Sequence, residues 1–203
     1  MAVEGRRRRD PARRIEEIVE ATERVIAARG VEGLTHRAVA AEAGVPLGAT
    51  TYHFATKDDL IAAALRRSVD RFSEYLDEWV ARRPGLTPEQ CAVLLADAVL
   101  PPDGGPERAQ QVVEFELYLA ALRRPALRTI AEEHNELSVR ALTHYTDPET
   151  AAAAGAALMG ISLRALAAPA PPTRAEVERI LRRILTPNPA LDRPSGQEQE
   201  AAQ

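Results

Sequence analysis

The sequence predicts an all-α protein, and three observations carry that expectation. Alanine, leucine, arginine and glutamate, all good helix formers, are abundant. Aromatic residues make up only 4% of the chain, and no stretch of valine, isoleucine, threonine and tyrosine alternates with period two. Apolar residues recur instead at helical spacing, between Gly and Pro breaks that cut the chain into about nine segments. With 203 residues, 45% of them hydrophobic, the chain can bury a sizeable core as one domain or as a small domain joined to a larger one.

Residues 1–9 are small, charged and aperiodic, which predicts a disordered basic arm. Asp10 can cap a helix that Pro11 opens. Ile15, Ile18, Val19, Val25 and Ile26 mark one face of it, Thr22 falls on the same face, and Gly30 ends it. Thr35 caps a second helix through Ala43, Gly44-Val45-Pro46 makes a turn, and a short third helix runs from Leu47 to His53. Thr56 with Asp59 three residues on opens a fourth helix, unbroken to about Val80. Further helices are expected at 87–99, 107–123, 126–145, 149–167 and 173–186, and a disordered polar tail at 187–203.

The formal net charge of −4 says little about partners, but its distribution is uneven: Arg6, Arg7, Arg8, Arg9, Arg13 and Arg14 cluster near the start. Cys91 is the only cysteine, which excludes an internal disulfide and any multi-cysteine metal site. His36, His53, His134 and His144 have no metal-ligand spacing, so neither metal nor cofactor is expected. No nucleophile-plus-base grouping and no phosphate-binding glycine loop stands out, which argues against an enzyme. No uninterrupted run of 18 apolar residues and no apolar signal core is present, so a cytoplasmic protein without a membrane span is expected.

Residues 34–60, LTHRAVAAEAGVPLGATTYHFATKDDL, carry the strongest signal. Ala38, Ala40, Ala41 and Ala43 give a first helix small side chains for close packing, and Gly44 allows a tight turn. Leu47, Gly48, Thr50, Thr51, Tyr52 and His53 make a compact, polar second helix of a size to enter the major groove. This is the pattern of a helix-turn-helix, although a similar pair of helices also occurs in ordinary bundles.

The pattern continues through Tyr52, Phe54, Thr56, Lys57 and Leu60, and over residues 12–62, about a quarter of the chain, it resembles the TetR family of transcriptional regulators. The resemblance implies a three-helix DNA-binding domain over 10–55 and a helical effector-binding and dimerising domain over 56–186. It places Thr35 as a cap able to reach phosphate, with His36 beside it, and Arg37 as a reader of base or phosphate. Leu47 and Gly48 then begin the recognition helix. Thr50, Thr51, Tyr52 and His53 continue its contact surface, Thr51 standing where the family usually has a phosphate-binding tyrosine. Lys57, the chain's single lysine, matches a phosphate clamp. Pro46 and Leu47 depart from the frequent serine and lysine, which removes a cap and a charge. The arm at Arg6–Arg9 is either a solvated tail or a minor-groove contact.

No motif marks the C-terminal half, and the sequence only nominates positions there. The helix at 107–123 is apolar nearly all round its second half (Val112, Val113, Phe115, Leu117, Tyr118, Leu119, Leu122), which predicts burial. Glu114 and Glu116 within it either pair with arginines or offer a carboxylate to a ligand. His134 falls on the inward stripe Leu127, Ile130, Leu137, Ala141, as a core or a pocket residue. Trp79 and Cys91, with Glu114, Phe115, Tyr118 and His134, are the nominated ligand residues, core packing being the alternative for Trp79 and Cys91. The small side chains of 151–160 and the stripe Val177, Ile180, Leu181, Ile184 predict a homodimer face, unless they are buried within one subunit. The expected function is a repressor that leaves double-stranded operator DNA when a small-molecule effector binds. The alternative is a DNA-binding regulator switched by a protein partner.

Overall fold

The computed structural model describes residues 11–100 and 106–186, and among these every regular element is helical. The arm at 1–9, the Asp10 cap, the proline-rich stretch at 101–105 and the tail at 187–203 lie outside the described residues.

Helix α1 (Pro11–Arg29) buries Ile18, Val19, Thr22, Val25 and Ile26, the stripe its spacing predicts, while Ile15 stays partly exposed. Thr22 is accommodated because its hydroxyl donates to the Ile18 carbonyl at 2.9 Å, so its own polar atom is paired. Three further helices follow within their expected bounds: α2 (His36–Ala43), α3 (Leu47–His53) and α4 (Lys57–Ala81). Thr35 caps α2 by accepting the Ala38 N–H at 3.1 Å. Gly44 closes α2 at φ 64°, in the left-handed region that makes glycine the natural residue for the turn. Thr56 and Asp59 exchange both bonds of a capping box, with Thr56 N–H to Asp59 at 2.8 Å and Asp59 N–H to Thr56 at 3.1 Å.

The later helices are α5 (Pro88–Val99), α6 (Pro106–Ala120), α7 (Arg128–Leu142), α8 (Pro148–Ala167) and α9 (Arg174–Leu185). Two of them are shorter than the sequence suggests. α6 stops at Ala120 and continues as turns, because Pro125 disfavours helical backbone ahead of it. The stretch expected as one helix from 126 begins as a 3-10 turn (Pro125–Leu127) and ends at Leu142. The stretch expected as a helix over 107–123 is also less enclosed than its composition implies: Val113, Leu117 and Ala120 are buried, but Leu119 and, beyond the end of α6, Leu122 are 44% and 71% exposed. The reading of a helix buried on all sides does not hold for it.

The chain forms two compact units, and their limits differ from the functional division expected at 55/56. The first holds residues 11–79 and 106–137. Its core gathers Ile18, Leu34, Val39, Leu60, Ile61 and Leu117, so α4 and α6 share apolar contacts with the three N-terminal helices. The second holds residues 80–100 and 138–186. There α9 lies against α5 and α8, and Cys91, Ala92, Ala96, Val177, Leu181 and Leu185 are buried. Arg174 bridges from the start of α9 to Asp97 of α5.

Candidate nucleic-acid interface and ligand site

The first unit presents α3 with one face out. Leu47, Gly48, Thr51 and Tyr52 are exposed, Tyr52 at 84%, and their spacing puts them on one side of a short helix. Nothing stands within 4 Å of where a Gly48 Cβ would be, so a surface can approach the backbone there. His53 is half-buried, with its ring edge-on to Tyr52 at 5.0 Å. Thr35 and Arg37 are exposed at the start of α2, and Lys57 is half-buried at the start of α4, its Nζ donating to the Glu32 carbonyl at 3.3 Å. As the departure at Pro46 implies, α3 has no side-chain cap.

Two nominated contact residues have other work in this fold. Thr50 is fully buried, and its hydroxyl donates to the Leu47 carbonyl at 2.8 Å, so it packs the recognition helix and has no surface to offer DNA. His36 is half-buried, and its Nε2 donates to the Phe54 carbonyl at 2.9 Å, which ties the first turn of α2 to the end of α3. The hydrophilic type of Thr50 invited a surface role that its place in the packing does not give it.

The nominated ligand residues separate between the units. Glu114, Phe115, Tyr118 and His134 belong to the first, Trp79 is buried at the far end of α4's share of that unit, and Cys91 belongs to the second. Cys91 is fully enclosed and burial pushes its thiol up to about 11, the behaviour of a packing residue.

In the first unit a line of rings assembles. Tyr75 stacks on Phe72 with centroids 6.4 Å apart, and Phe72 stacks on His134 at 4.5 Å with planes 21° apart. Tyr118 stands tilted beside His134 at 6.2 Å, and its hydroxyl accepts from Asn135 at 3.1 Å. Burial pushes the His134 imidazole below its usual value. Glu114 is one turn from Tyr118 on the same face of α6 and accepts from Gln110 at 3.0 Å. Burial is the main influence on its carboxyl and pushes it up, and Glu23 adds to that, while the Gln110 bond and Arg71 act the other way. Phe72 and Tyr75 were legible only as helical apolar positions of α4, and Asn135 carried no signal.

Ion pairs join the helices of this unit. Glu16, Glu20 and Glu23 form a stripe on α1 that faces Arg67 and Arg71 of α4, with Arg67–Glu20 and Arg71–Glu23 both at 2.8 Å. Arg66 of α4 bridges to Glu133 of α7. Arg124, just beyond α6, holds Asp58 in the first turn of α4 at 2.7 Å.

Comparison with known proteins agrees with this architecture. Residues 18–64 match the family described as bacterial regulatory proteins, tetR family, and residues 86–187 match the tetracyclin repressor-like C-terminal domain. The multidrug binding protein EbrR complexed with ethidium is 45% identical, with a TM-score of 0.72 over 84% of this chain and 98% of that one. EbrR structures with proflavin, malachite green and imidazole are similar as well. A TetR family member from Streptomyces coelicolor A3, SCO1917, is 43% identical, with a TM-score of 0.67 over 84% of this chain and 97% of that one. The HTH-type transcriptional regulator PksA of Bacillus subtilis (strain 168) is 33% identical over 111 residues, 55% of this chain and 51% of its own length, so the chain spans about half of that relative. The chain belongs to the tetR family of bacterial regulatory proteins, which are DNA-binding regulators rather than enzymes.

Proposed function

We propose that this protein is a cytoplasmic homodimeric repressor that leaves its operator when a flat aromatic cation binds in the first unit. The observation that carries the reading is the line Tyr75–Phe72–His134–Tyr118 with the half-buried Glu114 one turn away. Rings attract a cation through their faces, and a carboxylate in a poorly hydrated setting gains by meeting one. EbrR, similar over most of this chain, is complexed with ethidium in one structure and with proflavin in another, both of this chemical type.

DNA contact is assigned to the open face of α3 (Leu47, Gly48, Thr51, Tyr52, with His53), to Thr35 and Arg37, and to Lys57. The ligand residues share helices with this head. Phe72 and Tyr75 lie on α4, which begins at Lys57, and Glu114 and Tyr118 lie on α6, whose Glu116 and following Arg124 hold Val31 and Asp58. A ligand that reorders α4 and α6 therefore moves the parts that read DNA. It does so only to the extent that it prefers one arrangement over the other.

The dimer face is assigned to α8 and α9. α8 is long and apolar enough to cross a membrane by length and composition, yet only 11% of that window is buried. Ala152, Ala153, Ala156, Gly160 and Leu163 are exposed on it, and Ile180 on α9. Small side chains allow a second copy to approach closely, giving a four-helix bundle. The predicted stripe on α9 is shared: Val177 and Leu181 are buried within the subunit, and Ile180 faces out.

The test selects an operator from random duplexes and titrates a non-intercalating aromatic cation against protein alone and protein on operator. The cation should bind the free protein more tightly, by the same factor by which it weakens operator binding. Equal affinities in both titrations would remove the mechanism. Operator binding with no response to any such cation would favour switching by a protein partner, for which the exposed Leu119 and Leu122 are the natural patch.

A further inference from the structure

A cleft of about 450 Å³ opens between α1 and α2, lined by Arg24, Arg29, Thr35, Arg37 and Glu42 over a floor that includes Val25 and Ala38. Its charge is unbalanced. Three guanidinium groups face one carboxylate, and that carboxylate, Glu42, is held by Arg24 at 2.7 Å. Arg29 and Arg37 are exposed and are left without an ion pair or a side-chain hydrogen bond among the described residues. This positive pair stands in a chain whose net charge is −4.

The base of Arg29 is also held in place. A Cβ on Gly33 would lie 2.6 Å from the Arg29 Cβ and 2.7 Å from its carbonyl oxygen, so the turn after α1 closes over this residue at a distance only glycine permits.

We propose that Arg29 and Arg37 together form a clamp for a backbone phosphate of duplex DNA, with Arg24 neutralised by Glu42 and taking no part. Guanidinium is suited to this work because its planar set of donors matches the oxygens of a phosphate and it is weakly hydrated. The clamp shares Thr35 and Arg37 with the expected DNA face and extends that face from the helix-turn-helix onto α1. It adds affinity and register without reading sequence. The inference rests on the DNA-binding reading of the first unit.

The experiment measures binding of the full chain to a random-sequence duplex between roughly 50 and 200 mM salt, where each phosphate contact contributes about 0.9 to the log–log slope. Arg29→Ala should lower the slope by about that amount and weaken random and selected DNA alike. Arg29→Lys should restore the slope, because the slope counts charges, and the double substitution Arg24→Gln with Glu42→Gln, which removes the neutral pair as a unit, should leave it unchanged. Thermal unfolding of each variant verifies the fold. A wild-type slope in Arg29→Ala overturns the clamp. Inorganic phosphate titrated into DNA-free protein separates a second source. If Arg29→Ala abolishes phosphate binding while the DNA slope stays at wild type, the cleft serves a free anion and the assignment to DNA is wrong. If the wild-type chain binds no duplex at all, it is the DNA-binding reading that fails.

Discussion

The Glu116 carboxylate accepts the backbone N–H of Val31 at 3.1 Å, fastening α6 to the turn that follows α1. The bond spans 85 residues of sequence and pairs a backbone donor of that turn. A Cβ added to Gly30, which turns the chain at φ 67°, would meet the same carboxylate at 3.5 Å. Of the two glutamates that the sequence singles out in α6, this one is structural, and the ligand contact is proposed for Glu114.

Glu116→Ala should therefore destabilise the first unit by about 1.5–3 kcal/mol, the range for a hydrogen bond to a charged group. Glu116→Gln keeps an acceptor and should recover much of that loss. Chemical denaturation followed by circular dichroism measures both, and equal losses in the two variants would mean the charge, not the bond to Val31, is what counts.

Thr50 and Thr51, adjacent in sequence, should respond oppositely. Thr50→Val removes a buried bond to Leu47 and should cost about 1 kcal/mol of stability. Thr51→Ala lies on the open face of α3 and should leave stability within about 0.5 kcal/mol while weakening DNA binding. Thermal melts and fluorescence anisotropy on the same preparations decide the matter.

Lys57→Ala should weaken binding to all duplexes similarly and lower the salt slope by about 0.9. Arg37→Ala, if its guanidinium reaches a base in addition to the phosphate, should also cost about 1–3 kcal/mol at one operator position. Binding curves on single-base operator variants separate the two contributions, and a uniform loss across all variants would confine Arg37 to phosphate.

Glu114 and His134 set a pH dependence whose signs differ. Burial raises the Glu114 carboxyl in the folded state, so the unfolded chain loses this proton first and stability falls as pH rises from the ordinary value of 4.5. Glu114→Gln should then be more stable than wild type at neutral pH, yet bind an aromatic cation roughly tenfold or more weakly. Burial lowers His134, so the unfolded chain takes up this proton first and stability is lost as pH falls below the ordinary 6.5. His134→Phe should keep the stack on Phe72 and remove that loss. Denaturation midpoints from pH 4 to 8 report both effects, and profiles unchanged from wild type would contradict them.

Ile180→Glu places a charge on the exposed part of α9 without touching the buried Val177 and Leu181. It should yield a folded monomer by sedimentation at micromolar concentration, with operator affinity sharply reduced. A dimer as tight as wild type would move the interface elsewhere.

The sequence by itself determined the helices, their caps and the helix-turn-helix, because those depend on neighbours in the chain. Thr35 finds the Ala38 N–H three residues on, Gly44 takes φ 64° where a side chain would be strained, and Thr56 and Asp59 close their box within a single turn. Tertiary structure alone decided which polar groups are spent inside the fold and which apolar ones stay outside. Thr50 and Thr51 have the same side chain, and only the packing of α3 on the core buries one and exposes the other. Leu117 and Leu119 both belong to an apolar stretch of α6, yet a difference of 200° around the helix sends one to the core and the other to the surface. The Val31 N–H that Glu116 accepts comes from 85 residues away, and no periodicity along the chain encodes which distant backbone will arrive beside a given side chain.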